Sequence, residues 1–361
     1  MNEVSTILAR VEKLRAQFDS LKIDAFLVTF PPHLRYLSGF SGSSGMGLVT
    51  RHTLHLLTDG RYASQVQDEV SAWKICITQR SFPEELQRRK LLRDGARIGF
   101  DGNTVVFSQV RDWRSTFSKV KFLPKVDCVE RIAIVKDTGE IARIKRAVAI
   151  TDKVFLDIIP LIKPGVRELE IAAEISYLQR KHGADADAFE TIVASGERSA
   201  LPHGRASSKK FQRNEFITLD FGCVYQGYHS DMTRTVHLGK PKNESKQIYN
   251  VVLEAQQRAI DAAKTGMKTN DLDRLARSYI KKMGYDKFYH HSLGHGLGLQ
   301  IHEPPRISVL SKSTLEAGNV ITIEPGVYVP GFGGVRIEDD VVIRNGHCEV
   351  LTRSPKEFMI L

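Results

Sequence analysis

Cysteine is scarce in this 361-residue sequence, and the four that occur, Cys76, Cys128, Cys223 and Cys348, stand far apart with no CxxC pair. Such spacing indicates neither a disulfide framework nor a thiolate zinc cluster, and the thiols read as reduced and mostly buried. Long apolar runs are missing as well. The opening stretch MNEVSTILARVEKLRAQFDSLKID carries a charge every few positions. It never forms the apolar run of a signal peptide or a spanning helix, so a cytoplasmic chain is expected. Its Val4, Ile7, Leu8, Val11, Leu14 and Phe18 instead fall at helical spacing. With 42% hydrophobic and 26% charged residues, the apolar deficit of a disordered chain is also absent. Basic charge is in excess, at a formal +10, yet its clusters (Arg88, Arg89, Lys90, Arg93; Arg143, Lys145, Arg146; Lys209, Lys210, Arg213) are short, scattered and free of interleaved aromatics. Nucleic acid and membrane surfaces are therefore not expected as partners.

The length suits two domains at about 100–200 residues each. Up to about residue 133, strands expected at 25–30, twice within 45–59, at 73–78 and at 97–100 alternate with helical stretches, which implies an α/β domain. The pattern then changes. Asp137 is a good N-cap, Glu140 follows three residues on, and Ile141, Ile144, Val148 and Ile159 recur at helical intervals. Domains over 1–133 and 134–361 are expected.

The second part carries an internal repeat. Residues 162–185, IKPGVRELEIAAEISYLQRKHGAD, align without gaps on 263–286, AKTGMKTNDLDRLARSYIKKMGYD, each an amphipathic helix closed by Gly183 or Gly284. Further on, EFITLDFG (215–222) matches NVITIEPG (319–326), pairing Asp220 with Glu324. Each strand is followed by a hairpin return bearing a second acid, Asp231 or Glu338. Four carboxylates are thus related by one pseudo-twofold axis.

Acids inside β-branched and apolar strands need an answer, because burying an unpaired carboxylate costs several kcal/mol. Arg234 and Arg336 alone cannot answer four acids. A multivalent cation is the economical counter-charge, and a dinuclear site is expected. His295, between Gly294 and Gly296 in GHGLGLQIHEPP, is the expected nitrogen ligand. One nitrogen among oxygens favours Mn²⁺ over Zn²⁺.

Asp220, Asp231, His295, Glu324 and Glu338, within LDFGCVYQGYHSDMTRT, HSLGHGLGLQIHEPP and IEPGVYVPGFGGVRIED, resemble the proline-specific branch of the pita-bread metallopeptidases, aminopeptidase P and prolidase. These are relatives of creatinase and methionine aminopeptidase. RYLSGFSGSSG (35–45) and TDGRY (58–62) resemble that branch's N-terminal domain, so the resemblance spans nearly the whole chain. It implies an α+β fold: a pita-bread domain with a pseudo-twofold repeat, after a smaller creatinase-type α/β domain. It makes Asp220 a bidentate ligand of one metal, Asp231 and Glu338 bridging ligands, and His295 and Glu324 the remaining ligands of the other. Two divalent ions per subunit are implied, Mn²⁺ first, with Co²⁺ and Zn²⁺ as alternatives. His203 and His302 match substrate-contacting histidines, and Glu324 is the expected proton acceptor for a metal-held water. His291 matches a histidine near the proline pocket, Arg336 an arginine behind the ligands, and Arg306 one that meets a substrate carboxylate.

The activity so implied is release of the residue preceding a proline from peptide substrates, with aminopeptidase first and Xaa-Pro dipeptidase, prolidase, as the alternative. Methionine aminopeptidase and a non-catalytic binding relative are more distant readings. The family also implies a homodimer or higher homo-oligomer. His33, His52, His55, His237, His290 and His347 read as surface or satisfied histidines, Trp73 and Trp113 as packing residues, and Tyr228 equally as cavity lining or packing.

Overall fold

The computed structural model describes residues 3–361. The chain forms two compact units, the first ending at Ala133 and the second beginning at Ile134. The first is built on a six-stranded sheet in the order Lys74–Thr78, Leu54–Asp59, Gly45–Thr50, Ala25–Val28, Arg97–Asp101, Lys121–Lys125. Ala25–Val28 is buried at every position, which explains its unbroken apolar run in place of alternation. It ends short of the expected residue 30 because Pro31 and Pro32 open the helix Pro31–Ser38, with Phe30 at the N-cap. The N-terminal helix Glu3–Arg15 buries Ile7, Val11 and Leu14, while Leu8, one position off that stripe, is 39% exposed. Both tryptophans serve packing: Trp113 meets Phe100 edge-on at 5.5 Å, and Trp73 Nε1 donates to the Leu37 carbonyl at 2.9 Å.

The second unit begins with the capping box that the sequence suggests. Asp137 Oδ1 accepts the Glu140 N–H at 2.9 Å and Glu140 Oε2 accepts the Asp137 N–H at 3.0 Å, starting the helix Thr138–Ile158. Its neighbour Glu168–Lys181 and the later helix Thr269–Lys282 are the repeated pair, both stopped by a glycine in the left-handed region, Gly183 at φ 99° and Gly284 at φ 86°. Each half contributes an antiparallel sheet. In the first, Glu215–Phe221 lies between Ile192–Ser195 and Met232–Leu238. In the second, Val320–Ile323 lies between Gly294–Gly296 and Asp339–Ile343.

Strand periodicity then aims the acids. Ile217, Leu219 and Phe221 join one apolar core with Val154 and Ile175, which leaves Thr218 and Asp220 on the opposite face. Ile321 and Ile323 likewise enter the second core with Val252 and Leu272, leaving Thr322 and Glu324 opposite. The repeat holds less strictly for the returning acids. Asp220 pairs with Thr233, so Asp231 lies two residues beyond that rung, whereas the other ladder ends at Ile323 opposite Asp339, with Glu324 and Glu338 next on either strand. The connections differ: the short strands Cys223–Tyr225 and Tyr228–His229 in the first half, the longer Gly326–Val329 and Gly333–Arg336 in the second. Turn length sets register, so the returns are offset. No helix of the described residues is long and apolar enough to cross a membrane.

Candidate metal centre

Asp231, His295 and Glu338 present donor atoms that all lie within 4.8 Å of one another. His295 Nε2 stands 3.6 Å from Asp231 Oδ2 and 3.4 Å from Glu324 Oε1. The imidazole is aimed by its other nitrogen, because Nδ1 lies 3.1 Å from the Gly296 carbonyl, which calls for a proton there and leaves the Nε2 lone pair facing the acids. The flanking glycines are steric necessities. A Cβ on Gly294 would come within 2.0 Å of the Thr322 carbonyl oxygen, and one on Gly296 within 2.3 Å of the Pro304 carbonyl oxygen.

The carboxylates are buried and only half answered. Glu338 Oε2 accepts from Thr233 Oγ1 at 2.6 Å and Asp220 Oδ2 from Arg336 Nη2 at 2.5 Å. Asp220 Oδ1, Asp231 Oδ1 and Glu338 Oε1 are buried without a hydrogen-bond partner among the described residues. Arg234, counted with Arg336 as a candidate counter-charge, faces Asp339 at 2.7 Å instead. Burial, reinforced by neighbouring acids, holds the Asp231 and Glu338 carboxyls well above the usual range and pushes Glu324 up to about 8. Burial, with His302 beside it, pushes His295 down to about 4, a neutral imidazole suited to ligation. Acceptor oxygens without donors, clustered around a neutral imidazole, fit divalent cations.

This arrangement has a consequence for stability. An acid whose folded pKa is raised contributes stability that is fully present below its unfolded value and lost as pH rises through the folded one. For Glu324 that window runs from 4.5 to about 8. A chelator-stripped chain is therefore expected to lose melting temperature through this cluster between pH 5.5 and 8. Added Mn²⁺ should raise it more at pH 8 than at pH 5.5, because ions compete with protons for the same oxygens.

A cavity of about 760 Å³ opens over the cluster, and His203, His291, His302, Arg306 and Arg336 all line it. His302 lies against His295, ring centroids 4.4 Å apart at 70°. Burial, then His203, lowers the His302 pKa. Arg336 is buried and fully engaged: besides Asp220 it donates to Thr233 Oγ1 at 2.9 Å, the Tyr328 hydroxyl at 2.7 Å and the Pro202 carbonyl at 3.2 Å. His291 Nε2 lies 2.9 Å from the same tyrosine hydroxyl. Burial, then Arg336, pushes His291 down to about 3. Arg306 has no carboxylate within ion-pair reach among the described residues.

Several expectations resolve differently or were missed. Tyr228 turns away, its hydroxyl donating to Glu140 Oε1 at 3.1 Å, and does not line the cavity. Tyr328, unremarked in the sequence, joins His291 to Arg336; its place two residues after Gly326 on an apolar strand was the available signal. Asp340, also missed, accepts the Asp231 N–H through Oδ2 at 2.9 Å and thereby sets that residue's backbone. His33 is buried between Asp101 at 3.6 Å and Glu130 at 3.7 Å, a second trio with ligand-like spacing in the first unit.

The profile of metallopeptidase family M24 matches residues 142–345, and that of the creatinase/prolidase N-terminal domain matches residues 10–134. A Xaa-Pro dipeptidase of Pyrococcus furiosus is 39% identical over 355 residues, 97% of this chain and 99% of that one. Among solved structures, a Xaa-Pro dipeptidase from Bacillus anthracis is similar with a TM-score of 0.95 and 40% identity, covering 98% of this chain and 100% of that one. An X-Pro aminopeptidase from Thermotoga maritima is similar with a TM-score of 0.88 and 40% identity, covering 96% and 100%.

Proposed function

The chain belongs to metallopeptidase family M24, and from that premise we propose that it hydrolyses the bond between a residue and a following proline, with free Xaa-Pro dipeptides as preferred substrates. The sequence alone put aminopeptidase first. That order is reversed here because the relatives from Pyrococcus furiosus and Bacillus anthracis are named dipeptidases. Those relatives carry the preference; Arg306, on the cavity wall without an acidic partner among the described residues, agrees with it as a cation suited to the free carboxylate of a dipeptide. The Thermotoga maritima relative keeps the aminopeptidase as the second reading.

Asp220, Asp231, His295, Glu324 and Glu338 would hold two divalent ions, Mn²⁺ by preference for an oxygen-rich donor set. Bound there, the ions would supply Lewis acidity and bring the pKa of water from 15.7 towards ~7. The remaining work falls to side chains. An Xaa-Pro bond has no N–H, so the substrate must be oriented through its carbonyl and its ends. His203 donates a hydrogen bond that orients the peptide, and Arg306 receives its carboxylate. Glu324 accepts the proton of the attacking water and returns it to the proline nitrogen as the C–N bond breaks, leaving the amino acid and free proline. His302 donates to the developing oxyanion. Arg336, held by Tyr328 and Thr233, keeps Asp220 in place.

Ala-Pro and Ala-Pro-Ala separate the two readings. The dipeptide is expected to have the higher kcat/KM. Arg306→Ala should lower kcat/KM for the dipeptide roughly tenfold or more while leaving the tripeptide nearly unchanged, since only the former places a carboxylate there. Preference for the tripeptide would establish the aminopeptidase reading instead.

A further inference from the structure

A buried ion pair joins Lys136, near the start of the second unit, to Glu303, which lines the cavity beside His302. The two side chains are 1% and 7% exposed. Such a pair is an expensive way to gain stability, because two charges must be desolvated and apolar replacements often do as well. Its contacts suggest another use. The Lys136 N–H donates to the Gly318 carbonyl at 2.9 Å, and Asn319 Nδ2 donates to the Ile134 carbonyl at 3.0 Å. Lys136 is thereby tied to the entry of Val320–Ile323, the strand that leads into Glu324.

The other end of the pair sits at the turn that carries His302. Glu303 follows His302 directly and pairs with Gly296, the residue after His295. Its Oε2 accepts the Gln300 N–H at 3.4 Å, closing the turn on itself. Gly298 leaves the space that the pair occupies: a Cβ there would lie 2.7 Å from Glu303 Oε1 and 2.9 Å from Lys136 Cε. The Gly298 carbonyl in turn accepts the His229 N–H at 2.8 Å. The turn from 298 to 303 is thus pinned from the acid strand through Lys136 and from the His229 hairpin through Gly298.

We infer that Lys136 and Glu303 are positioning residues that hold His302 at its angle to His295 and so to the reacting carbonyl. This rests on the reading of His302 as the oxyanion donor. Misplacing a reacting group by about 1 Å can cost on the order of 10²-fold in rate. Loss of the pair should therefore appear in kcat rather than in metal content.

The test compares H302A, the charge-free K136M/E303L and the triple variant K136M/E303L/H302A in the full chain, following bound Mn²⁺, melting and Ala-Pro kinetics. K136M/E303L is expected to fold, keep its Mn²⁺ and lose roughly tenfold in kcat with KM little changed. In the H302A background the same pair of changes should cost nothing more, since groups acting through one another are not additive. Unchanged kcat in K136M/E303L, or losses that multiply in the triple variant, would overturn the inference. If H302A alone leaves kcat intact, the role given to His302 fails and the inference with it. Should K136M/E303L melt early or lose metal, E303D decides. It keeps the charge and draws the carboxylate back by one methylene, so reduced kcat at normal metal content supports the pair and wild-type kcat refutes it.

Discussion

Asp231→Asn is expected to abolish Mn²⁺-dependent peptide hydrolysis, lowering kcat/KM at least about a thousandfold, without unfolding the chain. Changing groups that merely orient a ligand typically costs 10- to 100-fold, so losing a central donor should cost more. Folding should survive for an electrostatic reason. Burial and the surrounding acids hold the Asp231 carboxyl well above its ordinary value, so in the ion-free chain its ionisation opposes folding. Asparagine is neutral and nearly the same shape. At pH 7 the stripped variant should melt at or above stripped wild type, because it lacks a group whose ionisation opposes folding. Below the ordinary aspartate pKa the two should coincide. What disappears is the rise in melting temperature on adding Mn²⁺. Melting curves with and without metal at the two pH values, beside a hydrolysis assay, check each part.

His302→Ala is expected to separate chemistry from metal binding. The ring lies on the cavity wall at 4.4 Å from the His295 ring and is not among the clustered donor atoms. Metal content should therefore stay at the wild-type level. Removing a preorganised oxyanion donor lowers kcat by about 10²- to 10³-fold. KM should move far less, since the interaction strengthens only as charge develops on the oxygen. Metal analysis and steady-state kinetics on one preparation give both quantities. Loss of metal together with turnover would make His302 part of the ion site.

Asp220 and Glu324 were legible in the sequence because an acid within a β-branched run must be answered by something, and the repeated helices placed the two acids in matching halves. The two-halved organisation of the second domain was legible from the same repeat, and the pita-bread fold from the resemblance that its motifs carry. The relation of Asp231 to Glu338 was only partly so, since the rung each occupies depends on the length of the intervening hairpin. Arg234 and Arg336 could not be told apart: both stand on strands beside acids, yet one faces Asp339 and the other Asp220. Lys136 and Glu303 left no local trace. They are 167 positions apart, and no periodicity within either segment signals a partner at that distance. Tyr328 and Asp340 were hidden differently, as ordinary members of strands whose second face proves to be the site wall.

Titrating the chelator-stripped chain with Mn²⁺, while following bound ion and Ala-Pro hydrolysis in one sample, tests most directly whether these five side chains hold the ions on which cleavage depends. Hydrolysis should be absent at the start, rise as ions bind and level off once two are held per chain, with Asp231→Asn flat throughout. Full hydrolysis in excess chelator, or binding of ions that leaves Xaa-Pro peptides uncut, would contradict it.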